Sequence, residues 1–265
     1  MHRHYREYRQ VYANIGTAQN VLEQQLSVIQ GGFAGMEEIY TAIQKICSKY
    51  PRPARFSDPG GDFSEEELSE LISKPDSDLT EGDWMCIFQG ALPAGEYHEV
   101  MYFLPIALRH IAENKEVDTA DNFLRWMSYF REELQVDNCY DDLLNFFETL
   151  FAGLTYEHIL NENYVQNTGL CETLVEILNE KHNGMGDVLI KKYFGKVENY
   201  VQAGWLLHFL EYYYMGVLKK SEYLSSVAQD KALRQKIYDF IIEEALKDET
   251  VLQFWDHKLE YCGIY

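Results

Sequence analysis

The chain has 265 residues, of which 46% are apolar and 25% are charged. This composition is typical of a globular protein with a buried core and argues against a disordered chain. The formal net charge of −20 disfavours nucleic acids and anionic membranes as partners, because both attract surfaces rich in lysine and arginine.

The excess of negative charge lies in the middle of the chain. Residues 1–55 carry a net charge of +3, residues 56–163 carry −19 and residues 164–265 carry −4. A charged surface often serves solubility alone. It also attracts and orients a partner of opposite charge, and the sequence leaves both interpretations of the acidic segment open.

The first part of the chain predicts two helices followed by a loop. Apolar residues recur at spacings of three and four over residues 4–30 and 36–49, which is the period of a helix. Prolines and glycines are then dense from Pro51 to Gly61, and they cannot extend a helix. We predict one continuous domain made of an N-terminal helical hairpin (1–50), a Pro/Gly loop (51–63) and an acidic helical body (64–265).

Two capping boxes predict where the next helices begin. Ser64 with Glu67, and Thr80 with Asp83, place a hydroxyl where it accepts a hydrogen bond from a free N–H of the first helical turn. Further along, Pro105 lies in a segment of helical periodicity but lacks the N–H that a helix interior requires. It either kinks that helix or occupies the first turn of a new one.

The rest of the chain continues the helical period, and alternating strand patterns are nearly absent. The predicted helices are 119–134, 140–151, 168–182, 196–218, 230–246 and a short last one near 251–255. Helices of this length with short connections predict an all-α fold, either an irregular multi-helix bundle or a short α-solenoid-like array. We expect little or no β-sheet.

Cysteine spacing and the absence of targeting signals bear on location. The five cysteines are widely spaced and none forms a CxxC pair, so neither a disulfide framework nor a thiolate zinc site is expected. The sequence shows no apolar secretory signal, and its apolar stretches are far shorter than the roughly 20 residues of a membrane span. We therefore expect a cytoplasmic protein that does not enter a membrane.

No motif in the chain specifies a reaction. His98-Glu99 begins like a zinc-protease motif, but Tyr102 stands where the second histidine is required. Cys139 lies between Asp137 and Asp141, and this negative field opposes formation of a thiolate nucleophile. We therefore predict a protein that is not an enzyme and that binds no metal or cofactor.

Aromatic residues accompany the acidic ones. The chain has 20 tyrosines, and a tyrosine beside carboxylates can bind lysine or arginine through charge and cation–π contact. We expect these side chains to bind a basic protein partner, with the following candidates: Asp62, Glu65, Glu66, Glu70, Asp76, Asp78, Glu81, Asp83, Trp84, Tyr97, Glu132, Glu133, Asp137, Tyr140 and Asp141.

One segment carries a resemblance to a known class. It consists of Ala91-Leu92-Pro93, then Tyr97, then Tyr102-Phe103-Leu104-Pro105 and Leu108. This small, acidic, helical chain resembles the immunity proteins of bacterial toxin systems. The resemblance implies a stoichiometric inhibitor that covers the active site of a cognate effector, and it assigns no individual residue.

Two alternatives to a toxin-neutralising protein remain open. One is an enzyme whose site is assembled from scattered residues such as His98, Glu99, His208 and Glu211. The other is a helical scaffold that associates with itself, which would show a large exposed apolar patch. The sequence leaves the oligomeric state unknown.

Overall fold

The computed structural model describes residues 35–89, 93–156, 164–247 and 249–265. Within these ranges the chain forms helices, one short 3-10 turn at Asp76–Asp78 and no strand, so the prediction of an all-α fold is confirmed. Helix α1 occupies residues 35–47. The other helices are α2 (Glu65–Ser73), α3 (Glu81–Ile87), α4 (Tyr97–Val100), α5 (Leu104–Asn114), α6 (Val117–Tyr129), α7 (Arg131–Val136), α8 (Tyr140–Tyr156), α9 (Tyr164–Lys181), α10 (Met185–Phe194), α11 (Tyr200–Tyr214), α12 (Glu222–Gln229), α13 (Lys231–Ala245) and α14 (Glu249–Tyr261).

The N-terminal predictions are tested in part. The helix predicted at 4–30 lies outside the described residues, as does the hairpin that it would form with α1. The helix predicted at 36–49 is observed as α1, and the segment predicted as a Pro/Gly loop at 51–63 contains no helix.

The signals for helix starts are confirmed. Ser64 and Glu67 form a capping box at α2, with the Ser64 N–H 2.8 Å from a Glu67 carboxylate oxygen, and Thr80 and Asp83 form one at α3. Pro105 lies in the first turn of α5 rather than at a kink. There its missing N–H would have had no partner within the helix.

Other helix boundaries differ from the prediction. The helix expected at 119–134 is divided at Phe130, where φ of −101° and ψ of 31° end α6 before α7 begins. Helices α10 and α12 have no counterpart among the helices predicted from the sequence. Before α10, Asn183 and Gly184 both have positive φ, at 56° and 76°. This left-handed turn reverses the chain, but it does not interrupt the spacing of apolar residues from which helices were predicted.

The helices pack side by side as an irregular array around one apolar core. Helix α6 contacts α3 and α9, α9 contacts α8 and α10, and α11 contacts α10, α12, α13 and α14. The pair α6–α9 therefore joins the acidic part of the chain to its C-terminal part. Four tryptophans are at most 1% exposed and occur along the whole core: Trp84, Trp126, Trp205 and Trp255. No helix in the described part of the chain is both long and apolar enough to cross a membrane.

A buried histidine links three of the central helices. His182 follows α9, and its Nε2 lies 2.9 Å from the Leu124 carbonyl oxygen of α6. Since a carbonyl only accepts, Nε2 carries the proton and Nδ1 accepts the Tyr140 hydroxyl of α8 at 2.8 Å. Burial, together with the nearby charge of Arg131, lowers the pKa of His182 from 6.5 to about 4.

The pKa of His182 predicts a loss of stability in weak acid. Below pH 6.5 the unfolded chain binds a proton at this residue that the folded chain excludes down to about pH 4. The free energy of unfolding should therefore fall across this window by up to about 3 kcal/mol from this residue. We expect His182→Gln to have a shallower pH dependence than the wild type in urea titrations. All other groups titrate in both proteins, so an unchanged slope would contradict the assignment.

Two glycines provide a matched test of packing. A Cβ at Gly186 would lie 2.3 Å from the Val175 carbonyl oxygen, whereas a Cβ at Gly153 in α8 would meet nothing within 4 Å. We expect Gly186→Ala to push α10 away from α9 and to lower the free energy of unfolding by about 2 kcal/mol. Gly153→Ala should raise it by roughly 0.5–1 kcal/mol, since alanine loses less backbone entropy in a helix. Urea unfolding of both variants is the measurement, and destabilisation of similar size in both would contradict the close approach.

Candidate partner-binding surface and cleft

The structure divides the carboxylates of the acidic segment into two groups. The first group holds the fold together. Asp76 binds the guanidinium of Arg52 and accepts the Tyr102 hydroxyl at 2.7 Å. Asp83 binds Lys74 at 2.8 Å, and although burial opposes the shift, hydrogen bonds from Lys74 and Thr80 lower its pKa. These carboxylates already have bonding partners within the molecule.

Asp137 is the most connected member of this group. Its carboxylate, 10% exposed, accepts hydrogen bonds from Lys49, from the Tyr50 hydroxyl and from the Tyr97 hydroxyl at 2.8 Å. Burial alone would raise its pKa, but these three donors outweigh burial and hold the pKa below its ordinary value. The segment after α1, helix α4 and the end of α7 are thereby fixed to one charge.

Glu99, a residue of α4, joins this helix to the Pro/Gly loop. One Glu99 oxygen accepts the N–H groups of Ser57 at 3.0 Å and Glu96 at 2.9 Å, and the other accepts the Ser57 hydroxyl at 2.7 Å. Gly95 allows the loop to approach closely, since a Cβ there would lie 2.6 Å from the Phe56 ring. The Pro/Gly loop is therefore attached to α4 at a fixed distance.

An open cleft of about 400 Å³ lies where this loop, α4 and the α6–α7 junction meet. Its floor is rigid because the Tyr97 ring stacks on Trp126 with an interplanar angle of 5°, and Phe130 packs 5.6 Å from Tyr97. Tyr129, 60% exposed, stands at the edge. The lining residues are Pro59, Gly60, Pro93, Glu96, Tyr97, His98, Tyr129 and Phe130.

Among the described residues that line the cleft, Glu96 is the one acidic side chain, and the walls are formed mainly by aromatic and proline residues. The Glu96 carboxylate is 57% exposed, and its Oε2 lies 3.6 Å from Nδ1 of His98, which is itself 63% exposed. The described lining includes neither lysine nor arginine. An apolar pocket with a single carboxylate suits a cationic group that has an apolar face.

The predicted partner-binding residues fall into three sets. Those exposed at the surface are Asp62, Glu65, Glu66, Glu70, Asp78, Glu81, Glu132, Glu133 and Asp141. Asp76, Asp83 and Asp137 bind basic side chains of the same chain, and the Tyr97 hydroxyl is engaged by Asp137 although its ring borders the cleft. Trp84 and Tyr140, at 1% and 7% exposure, lie in the core. This corrects the sequence-based set, because a side chain packed in the core cannot reach a partner that binds the folded protein.

The cleft itself was missed by the sequence analysis. Pro59 was assigned to a loop, and Phe130 to the apolar face of a continuous helix, so nothing placed the two together. The available signal was Tyr129-Phe130, a pair of adjacent rings that one helix face cannot bury together. That pair marks the break between α6 and α7.

Of the four residues of the enzyme hypothesis, only His98 is among the described residues that line the cleft. Glu99 binds the loop backbone. His208 on α11 is buried with its Nε2 2.7 Å from Glu172, and Glu211 binds Lys258 of α14. The described residues also contain no group of three or more His, Cys, Asp or Glu side chains arranged to hold a metal ion.

Exposed apolar side chains bear on the self-association hypothesis. Val136 at 81%, Val188 at 53% and Leu246 at 83% lie on α7, on α10 and after α13 respectively. These three are isolated, which is normal on a folded surface. Tyr214, Met215 and Val217 are exposed within four residues, at and just after the end of α11. Three residues do not make the large apolar patch that a symmetric contact would show.

Comparison of the chain with protein-family models, with characterised proteins and with solved structures found no match in any of the three. Ala91 and Leu92 of the segment that resembles immunity proteins lie outside the described residues. Its described part mainly contributes to the core, since Phe103, Leu104, Pro105 and Leu108 are all buried. Function is therefore argued from the acidic surface and the cleft.

Removal of the Asp137 carboxylate tests its structural role. Asp137→Ala leaves Lys49, Tyr50 and Tyr97 without their common acceptor. We expect it to lower the free energy of unfolding by about 2 kcal/mol, mainly because two part-buried tyrosine hydroxyls lose a charged acceptor. Asp141→Ala removes an exposed carboxylate four residues away and should change this free energy by no more than about 0.5 kcal/mol. Equal effects of the two changes in urea unfolding would show that Asp137 is no more than a surface charge.

Proposed function

We propose that this chain is a non-catalytic protein that binds and neutralises a basic protein. A toxin or effector domain with a cationic substrate cleft is the partner that fits best. The chain would then act as an immunity protein, in the cytoplasm, by covering the active site of that domain. The observation that supports this most directly is the set of exposed carboxylates that do not take part in the structural contacts of Asp76, Asp83 and Asp137.

Among the described residues, nearly all of these carboxylates lack a partner of opposite charge within the chain. Of the nine exposed ones in the predicted set, only Glu70 is within 4.0 Å of a described lysine or arginine, with Lys74 Nζ at 3.8 Å. Three positive charges in the same part of the chain are already engaged, because Lys49, Arg52 and Lys74 bind buried or half-buried aspartates. The remaining surface charge is available to an external cation.

Crowding of like charges supports the same proposal. Glu116 and Asp118 raise the pKa of Glu81, with repulsion from the Glu116 charge as the largest cause. A folded protein gains nothing in stability from carboxylates that repel one another. A basic partner would relieve this repulsion, and its approach would be accelerated by the negative field.

The first experiment identifies the partner and its activity. Proteins of the host are captured on the purified chain at low and at high ionic strength, identified by mass spectrometry, purified and assayed with and without the chain. We expect a basic protein whose binding weakens at high salt and whose activity is lost in a one-to-one complex. Capture of no basic protein, or a partner that stays fully active when bound, would overturn the proposal.

Charge reversal then tests the surface itself. We expect Glu132→Lys with Glu133→Lys to slow association with the captured partner about tenfold, with a smaller effect on dissociation, because surface charges act mainly on encounter. The matched control is Asp256→Lys with Glu260→Lys, which makes the same charge change at exposed positions of α14. Equal slowing by both pairs would show a net-charge effect and not a binding surface.

Turnover of a small compound by the purified chain, lost on changing His98 or His208, would favour the enzyme hypothesis instead.

A further inference from the structure

The rings of the cleft form a fixed aromatic wall. Tyr97 and Phe130 both pack against Trp126, with ring centroids 6.0 and 5.3 Å away, and Tyr129 meets Phe130 edge to face at 4.9 Å. The Tyr97 hydroxyl is tied to Asp137, so its ring has no freedom to close the cleft. A visiting group would meet a surface that is already ordered, which reduces the entropy lost on binding.

The charge of the cleft defines what this wall can bind. An anionic group would be repelled by Glu96, and a purely apolar one would remove water from that carboxylate without replacing its hydrogen bonds. A cationic group would pair with Glu96 in addition to its contacts with His98 and the first turn of α4. Exposed carboxylates follow in sequence, with Asp62 two residues after Gly60 and Glu132 two after Phe130, and the intervening Arg131 donates to the Lys181 carbonyl. The lining and its surroundings therefore favour a cation.

The same chain places both kinds of cation over rings beside carboxylates. Lys49 lies over Tyr50 and pairs with Asp137, and Lys192 lies over Tyr193 and pairs with Glu148. Arg52 lies over the rings of Tyr102 and Phe103, 5.6 Å from each centroid, while its guanidinium binds Asp76. Arg109 over Tyr40 at 4.7 Å repeats the ring contact. A guanidinium is planar, stacks on rings and pairs with a carboxylate through two parallel N–H groups, which an ammonium group cannot do. The cleft supplies the rings and the carboxylate of this arrangement without the arginine.

We propose that the cleft is the anchor site for an arginine side chain of the partner, with the guanidinium on the Tyr129–Phe130 wall and paired to Glu96. This inference rests on the proposed function, because it specifies which kind of residue of the basic partner binds to this chain. The volume of about 400 Å³ is at the lower end of the range of about 300–1,000 Å³ for small-molecule sites. It therefore suits one long side chain rather than a whole helix.

The test compares two peptides of equal length and charge, nona-arginine and nona-lysine, in calorimetric titrations of the intact chain. We expect the arginine peptide to bind about fivefold more tightly, because only a guanidinium gains the stacking and paired contacts of the cleft. Tyr129→Ala and Glu96→Gln should each remove most of this difference, and Tyr129→Phe should retain it because the ring is kept. The matched control is Tyr214→Ala, an exposed tyrosine of α11 at 41%, which should leave both affinities unchanged.

The outcomes separate this inference from the proposed function. Equal, salt-sensitive binding of both peptides that Tyr129→Ala leaves unchanged would overturn the arginine site while leaving the acidic surface as a binding surface. Binding of neither peptide would also overturn the arginine site, and the capture experiment would then decide the proposed function alone. Tyr129 is exposed, so its replacement should leave the thermal unfolding midpoint within a few degrees of the wild type, which checks that a lost affinity is not a lost fold.

Discussion

The carboxylate of Asp137 is the contact on which the acidic half of the molecule depends. A charge that is mostly removed from water is stable only if its hydrogen bonds are replaced, and here Lys49, Tyr50 and Tyr97 replace them. These donors come from two segments that are distant in sequence from each other and from Asp137. Because Tyr97 also forms the floor of the cleft, the contacts that stabilise the charge fix the shape of the candidate binding site.

The same principle explains how so acidic a chain folds. The positive segment before the acidic one supplies Lys49 and Arg52, which neutralise Asp137 and Asp76 in partly buried positions. The nine exposed carboxylates of the predicted set are at the surface, where water screens their repulsion. The carboxylates therefore have two roles in this molecule. A few accept structural hydrogen bonds, and the exposed ones create the negative field that we propose attracts a basic partner.

The fold was largely accessible from the sequence, whereas the site was accessible only in part. Capping residues act within one turn, so Ser64 and Thr80 predicted the starts of α2 and α3 correctly. The break at Phe130 and the turn at Gly184 depend on backbone conformations that apolar periodicity does not report, and so the α6–α7 division and α10 were missed. Trp84 looked like a partner contact because its position beside acidic residues says nothing about burial.

The sequence alone determined the helical class, because a period of 3.6 residues is a local property of the chain, and it determined the negative sign of the surface, because charges add regardless of where the chain folds. Only the tertiary structure decided which carboxylates are free and where the cleft lies. Lys49 meets Asp137 across a separation of 88 residues, and the Pro/Gly loop meets the α6–α7 junction across a similar stretch. Contacts between residues so far apart in sequence depend on how all the helices pack together, and a local sequence pattern carries no information about that packing.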